Sequence, residues 1–129
     1  MDRPFALGLG LLALVAAAPV LAAEPVAAAM PAGDATRGQA LYQACMGCHS
    51  LDDNDVGPKH RGVVGRKAGT VPGYAYSNAL KASGIVWDPA SLDRWLSGPQ
   101  ALVPGAKMFF SIPDPQKRAD IISYLATQK

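Results

Sequence analysis

The chain has 129 residues, half of them apolar, and its 12 basic side chains nearly balance 10 acidic ones, for a net charge of +2. That balance excludes an ordinary nucleic-acid binder, which needs clustered basic residues and a much higher isoelectric point. Two cysteines permit one disulfide at most, so the chain is not a disulfide-built scaffold, and its length predicts one domain.

In chain order, Met1 to Pro4 carries one basic side chain, Arg3. Residues 5–21 then run without a charge to the small pair Ala22-Ala23, ahead of Glu24. This is the pattern of a secretory signal peptide over residues 1–23, cleaved near Ala22 or Ala23. An uncleaved membrane anchor is the competing reading, although such a span usually takes about 20 apolar residues. Residues 24–33 are rich in Ala and Pro without an apolar period and read as a linker. The domain is expected over residues 34–129.

Asp34 is a good N-cap residue. Behind it Gly38, Leu41, Tyr42 and Cys45 fall at i, i+3, i+4 and i+7, which predicts an amphipathic helix that delivers Cys45 on its buried face. The polar run from Ser50 to Lys59 reads as an exposed loop. Gly57 to Gly69 holds too many glycines for a long helix, and predicts an irregular loop wrapped closely on a ligand. Ser77 caps a short helix to Lys81 or Ala82, stopped by Gly84. Asp88-Pro89 starts another, with Leu92, Trp95 and Leu96 buried and Gly98-Pro99 as its end. Pro99 to Pro113 reads as a second breaker-rich loop. Asp114-Pro115 opens a last helix to about Thr127, with Ala119, Ile122, Leu125 and Ala126 on one face. No alternating strand pattern occurs, so the expected fold is all-α, with about four to five helices and long loops.

The chemistry centres on Cys45-Met46-Gly47-Cys48-His49, the pattern of covalent c-type haem attachment. Each thiol adds to one vinyl group of the haem, and the adjacent imidazole becomes an axial ligand of the iron. A thioredoxin-like dithiol needs a βαβ context that this chain lacks. Structural zinc could draw on Cys45, Cys48, His49 and His60, but His49 abuts Cys48 and His60 lies 11 residues further on, a poor match to the usual ligand spacing. A domain of this size sits at the low end for a self-sufficient core, and a large apolar cofactor supplies the missing volume. Among four methionines, Met1 and Met30 lie in the export end and linker and Met46 between the cysteines. That leaves Met108 as the candidate sixth ligand, in a loop stiffened by Pro104. Plain core filling is open to it as well. His60 is the competing ligand; bis-His ligation would lower the reduction potential that methionine raises.

At these residues the chain resembles the class I cytochromes c. The resemblance spans Gly33 to Leu125. It rests on the Cys45 to His49 motif, Gly57-Pro58, Gly65 to Gly69, Pro72 to Ser77, Gly84 to Trp87, Pro104 to Met108 and Arg118 to Leu125. It implies one covalent haem c, with His49 proximal and Met108 distal on the iron. It further implies that Pro58 supports the His49 ring through its carbonyl, that Tyr76 and Trp87 donate to a haem propionate with Arg66 nearby, and that Phe110 lies over the haem edge. Ordinary aromatic packing is compatible with the same Tyr76 and Trp87 positions. The chain departs from the family pattern where Ala106 replaces a hydroxyl residue and where Trp95 replaces a tyrosine that bonds the methionine sulfur. His60 stands where an aliphatic residue is common, and is read as surface or loop structure.

The function expected on these grounds is a periplasmic one-electron carrier, not an enzyme, that meets a donor and an acceptor protein transiently at the haem edge and works as a monomer. The alternatives are a haem subunit or anchored module of a larger redox complex, or a haem enzyme or gas binder with an open sixth position. Lys59, Arg61, Arg66, Lys67, Lys81 and Lys107 are candidates for a basic rim that steers partners, or else an ordinary solvated face. Lysines common in the family before the first cysteine and before the methionine loop are here Ala44 and Gln100.

Overall fold

A computed structural model describes residues 29–129; the expected signal peptide over 1–23 and the first part of the expected linker lie outside the described residues. Among the described residues five α-helices follow one another: α1 (Ala35–Leu41), α2 (Asn78–Ala82), α3 (Pro89–Ser97), α4 (Pro99–Leu102) and α5 (Pro115–Thr127). There is no strand among the described residues, only an isolated antiparallel bridge between Lys67 and Val86. No described helix is long and apolar enough to cross a membrane.

The helix starts follow from side chains that satisfy otherwise unpaired N–H groups, each such cap contributing about 1 kcal/mol. Asp34 accepts from the Arg37 N–H at 2.8 Å. Ser77 accepts from Leu80 at 3.1 Å. Asp88 and Ser91 cap one another reciprocally, at 2.7 and 2.9 Å. Asp114 accepts from Gln116 and Lys117 ahead of α5. Proline stands at the start of α3, α4 and α5, where its missing N–H costs no hydrogen bond.

Two local readings change. The first helix does not run unbroken to Cys45: it tightens after Leu41 into a 3₁₀ turn over Tyr42–Ala44, and that turn delivers the cysteine. Pro99 also does more than end α3. With Gly98 extended ahead of it, Pro99 opens the single turn α4, because its fixed φ suits a first helical position. The expected loop therefore begins only after Leu102.

The core forms where α5 crosses α1 and packs on α3. At the crossing a Cβ on Gly38 would overlap the Asp120 carbonyl oxygen, so the two backbones touch only because position 38 lacks a side chain. Tyr42, Ile121, Ile122 and Leu125 bury their side chains around this crossing, and Leu92, Trp95 and Leu96 extend the same cluster along α3. Full burial of such side chains stabilises by about 1.5–3 kcal/mol each. The Asp120 carboxylate is 3% exposed and fully partnered. It accepts from the Asp34 N–H at 2.8 Å, from Arg37 Nε at 2.8 Å and Nη2 at 2.9 Å, and from Gln116 Nε2 at 3.0 Å. The Arg37 bonds hold its pKa well below the usual carboxylate range, against the opposing effect of burial. On the other side of α5, Arg118 donates to Asp93 of α3 at 2.6 Å and to the carbonyls of Ile112 and Pro113 at 2.8 Å.

Candidate haem site

The loops between these helices enclose a cavity of about 580 Å³. Cofactor pockets commonly span about 300–1,000 Å³. All ten residues singled out from the sequence reach its wall: Cys45, Cys48, His49, Pro58, Arg66, Tyr76, Trp87, Trp95, Met108 and Phe110. They are spread over residues 45–110, so the fold alone brings them together. Leu80, Leu92, Leu96, Ile121 and Leu125 complete a mostly apolar lining.

The attachment motif is wound into a turn. Cys48 and His49 both donate backbone N–H bonds to the Cys45 carbonyl, at 3.1 and 2.9 Å. Both cysteines are free thiols. Burial, with Cys48 adding to it, pushes the Cys45 thiol up to about 11. His49 Nδ1 lies 2.8 Å from the Pro58 carbonyl oxygen. A carbonyl can only accept, so Nδ1 carries the proton and Nε2 keeps its lone pair. Burial lowers the His49 pKa, with the Pro58 bond opposing, and so favours the neutral ring that a metal needs. Gly57 packs flat on that ring, where a Cβ would overlap it. The Gly57 N–H is tied to the Cys48 carbonyl at 2.7 Å, which closes the loop around the imidazole.

His60 lies in a loop, as one of its two expected readings had it, and is half-buried there. Its ring stacks on His49 with centroids 3.9 Å apart and planes 21° apart. Its Nδ1 shares a 2.9 Å hydrogen bond with the Tyr42 hydroxyl. Burial, with the neighbouring His49 and Arg66 adding to it, pushes its pKa down to about 3, so the ring is neutral. Burial also pushes Tyr42 up to about 12. Side by side with His49, His60 belongs to the same wall of the cavity, a position unsuited to a ligand across from it. Nothing local in the sequence signals this placement. It depends on the loop from Ser50 to Gly62, whose His60 and Arg61 N–H groups bond back to the carbonyls of Ser50 and Leu51.

The remaining wall combines apolar rings with a few polar groups. Trp87 and Trp95 pack with centroids 5.2 Å apart. Trp87 is held by backbone bonds in both directions, to Gly65 and Arg66. The Tyr76 hydroxyl accepts from the Val71 N–H at 3.1 Å and retains its own proton to donate. The Arg66 guanidinium donates to the carbonyls of Lys59 at 2.7 Å and Arg61 at 3.2 Å, and burial lowers its pKa without discharging it. Met108 is partly buried, whereas Phe109 and Phe110 are 78% and 49% exposed at the mouth. Within the basic rim, Arg61 is paired with Asp52, and Lys107 donates to the Ala75 carbonyl.

Two free thiols, a neutral imidazole with one nitrogen available, a thioether and a mostly apolar enclosure with two cations, Arg66 and Lys107, are a donor set that fits a haem. The arrangement defines an all-helical c-type haem pocket. The cytochrome c family profile matches residues 35–129. Cytochrome c2 of Rhodomicrobium vannielii is 48% identical over 101 residues, covering 75% of this chain and 81% of the relative. Cytochrome c of Euglena viridis is 50% identical over 101 residues, covering 75% and 99%. In three dimensions, cytochrome cH from Methylobacterium extorquens superposes with a TM-score of 0.72 at 52% identity, over 74% of this chain and 99% of that one. The chain belongs to the cytochrome c family, in its class I branch. Its cofactor is therefore haem c, for which Cys45 and Cys48 have the attachment spacing, and it is an electron carrier that works with redox partner proteins and not an enzyme.

Proposed function

We propose that the protein is a periplasmic one-electron carrier in which His49 and Met108 are the two axial ligands of the haem iron. The observation that supports this most directly is the convergence of Cys45, Cys48, His49 and Met108 on one cavity, with the His49 ring already fixed by Pro58 so that Nε2 remains for the metal. When bound, the haem supplies an iron that gains and loses a single electron. The residues around it decide what that iron can do. A nitrogen and a thioether sulfur are both neutral donors, and a Met/His pair raises the reduction potential. The apolar wall from Leu92, Trp95, Leu96 and Phe110 disfavours extra positive charge in the cavity, which pushes in the same direction. With both axial positions held by the chain, none is left for a substrate, and that suits electron transfer over oxygen or peroxide chemistry.

Arg66, Tyr76 and Trp87 hold the propionate groups in this reading, Arg66 by charge and the other two by donated hydrogen bonds. Pro58 positions the proximal ring. Phe110 covers the haem edge, and donor and acceptor proteins dock there transiently with the protein as a monomer. Residues 1–23 act as a cleaved export signal and 24–33 as a linker, which leaves 34–129 as the functional domain outside the cytoplasm.

The test is the oxidised holoprotein's absorption spectrum. Wild type should show the weak long-wavelength sulfur-to-iron band, and Met108→Ala should lose it while the haem stays covalently attached. Persistence of the band in that variant rules Met108 out as the ligand.

A further inference from the structure

The segment that carries Met108 has little regular support, since it lies between α4 and α5 without helix or strand hydrogen bonds of its own. One side chain supplies the missing partners. Gln100, on the single turn of α4, donates through Nε2 to the carbonyl oxygens of Ala106 at 2.6 Å and Met108 at 2.9 Å. Its Oε1 accepts from the Gly105 N–H at 3.3 Å. Two carbonyl acceptors facing one end of the amide and an N–H donor facing the other fix its orientation, because the flipped amide would set oxygen against oxygen twice.

The anchor behind this clasp is firm. Pro99 is fully buried beside Gln100, and the Val103 N–H bonds back to the Pro99 carbonyl at 2.8 Å. Ala106 is 3% exposed, so the clasped part of the loop lies against the core. Trp95 and Ala106, which face this region, carry no hydroxyl that could tether the methionine or its loop. Lys107 on the Ala75 carbonyl and the Ile112 N–H on the Leu96 carbonyl tether the segment on either side, and the carboxamide of residue 100 is the group that bonds the Met108 backbone itself.

We propose that Gln100 is a positioning residue for Met108, holding the loop closed so that the thioether stays at the iron. This rests on the Met108 ligation proposed above. Without the two donors the Ala106 and Met108 carbonyls turn to water and the loop opens more often. An external ligand that competes for the iron gains apparent affinity in proportion to the open fraction.

The test titrates the oxidised holoprotein with imidazole and follows loss of the sulfur-to-iron band, in wild type, Gln100→Leu and Gln100→Glu. Glutamate preserves the shape of the side chain but loses both donated bonds. Both variants should keep the band before imidazole is added and should bind imidazole roughly tenfold more tightly, the size of one or two net hydrogen bonds. The Gly105 amide should also exchange with solvent faster in Gln100→Leu, which removes its acceptor. Unchanged imidazole affinity in the two variants overturns the proposal. So does tighter binding in Gln100→Leu alone, which would mean that shape and not hydrogen bonding matters. A wild type with no band at all brings down the Met108 ligation, and this inference with it. A wild type with the band and silent variants brings down only the role of Gln100.

Discussion

On the His49 side of the cavity the imidazole is held by backbone and rings: Pro58 fixes its tautomer, Gly57 packs so closely that a Cβ would overlap it, and His60 stacks on it with Tyr42 behind. That wall rests through Tyr42 on the crossing of α1 and α5, where Asp120 accepts four hydrogen bonds. On the Met108 side a loop with neighbouring Phe109 and Phe110 exposed is held by one carboxamide, by Lys107 on the Ala75 carbonyl, and by the Ile112 N–H on Leu96 at 2.7 Å. The contrast teaches that the two proposed ligands differ in how they can fail. The proximal side yields only when the helices separate, while the distal side can open with the fold intact, as segments with few buried contacts do.

The largest expected effect strikes the crossing itself. Gly38→Val places a branched side chain where even a Cβ overlaps the Asp120 carbonyl, and no rotamer relieves a clash with backbone. A loss on the order of 4 kcal/mol or more is expected, within the range of severe core disruption. Denaturant unfolding of the holoprotein reads it directly. A variant as stable as wild type would show that α1 and α5 do not need this close approach, and the contrast between the two sides would collapse.

The next effect is smaller and depends on pH. Asp120 keeps its charge in the folded state well below its ordinary value near 3.8, chiefly because Arg37 bonds it. As pH falls through the ordinary carboxylate range, the unfolded state takes up a proton that the folded state still refuses. Stability present above that range is therefore lost progressively on acidification. Asp120→Asn should lower stability at neutral pH and flatten the acid decline, measured as the unfolding midpoint from pH 7 down to pH 3. An acid decline as steep in the variant as in wild type would assign the loss to other carboxylates.

How far this organisation was legible in the sequence depends on the range of the contacts concerned. Asp34, Ser77, Asp88 and Asp114 announced their helices because a cap acts within three residues, and the prolines after Asp88 and Asp114 reinforced the signal. The five-residue attachment motif is equally local, and the ten candidate site residues line one cavity. What escaped notice was non-local. Asp120 reads as one more polar residue on a helix until Arg37, 83 positions earlier, is folded against it. His60 reads as part of a polar loop until that loop closes on Tyr42. Gln100 drew attention only as an absent lysine, since its bonds depend on how the chain turns at Val103 and Pro104. Pro99 misled for a different reason: the same residue can stop one helix and start the next.

The smallest effect separates the two sides most cleanly. His60→Leu keeps apolar bulk beside His49 but leaves the Tyr42 hydroxyl, in a residue only 2% exposed, without its partner. Tyr42→Phe makes the opposite deletion. Each single change should cost about 1–3 kcal/mol, because a buried polar atom left unpaired loses its hydrogen bond without regaining water. The double variant removes both polar atoms together and should cost less than the sum of the two, with a coupling of about 1 kcal/mol in the cycle. Meanwhile the sulfur-to-iron band and its sensitivity to imidazole should stay as in wild type, because neither residue hydrogen-bonds to the Met108 loop. Additive losses would mean that the Tyr42–His60 bond contributes nothing, and a weakened band would mean that the two walls communicate. If the coupling is found and the band is unmoved, the proximal wall is a self-contained unit, and the retention of Met108 must be explained from its own loop.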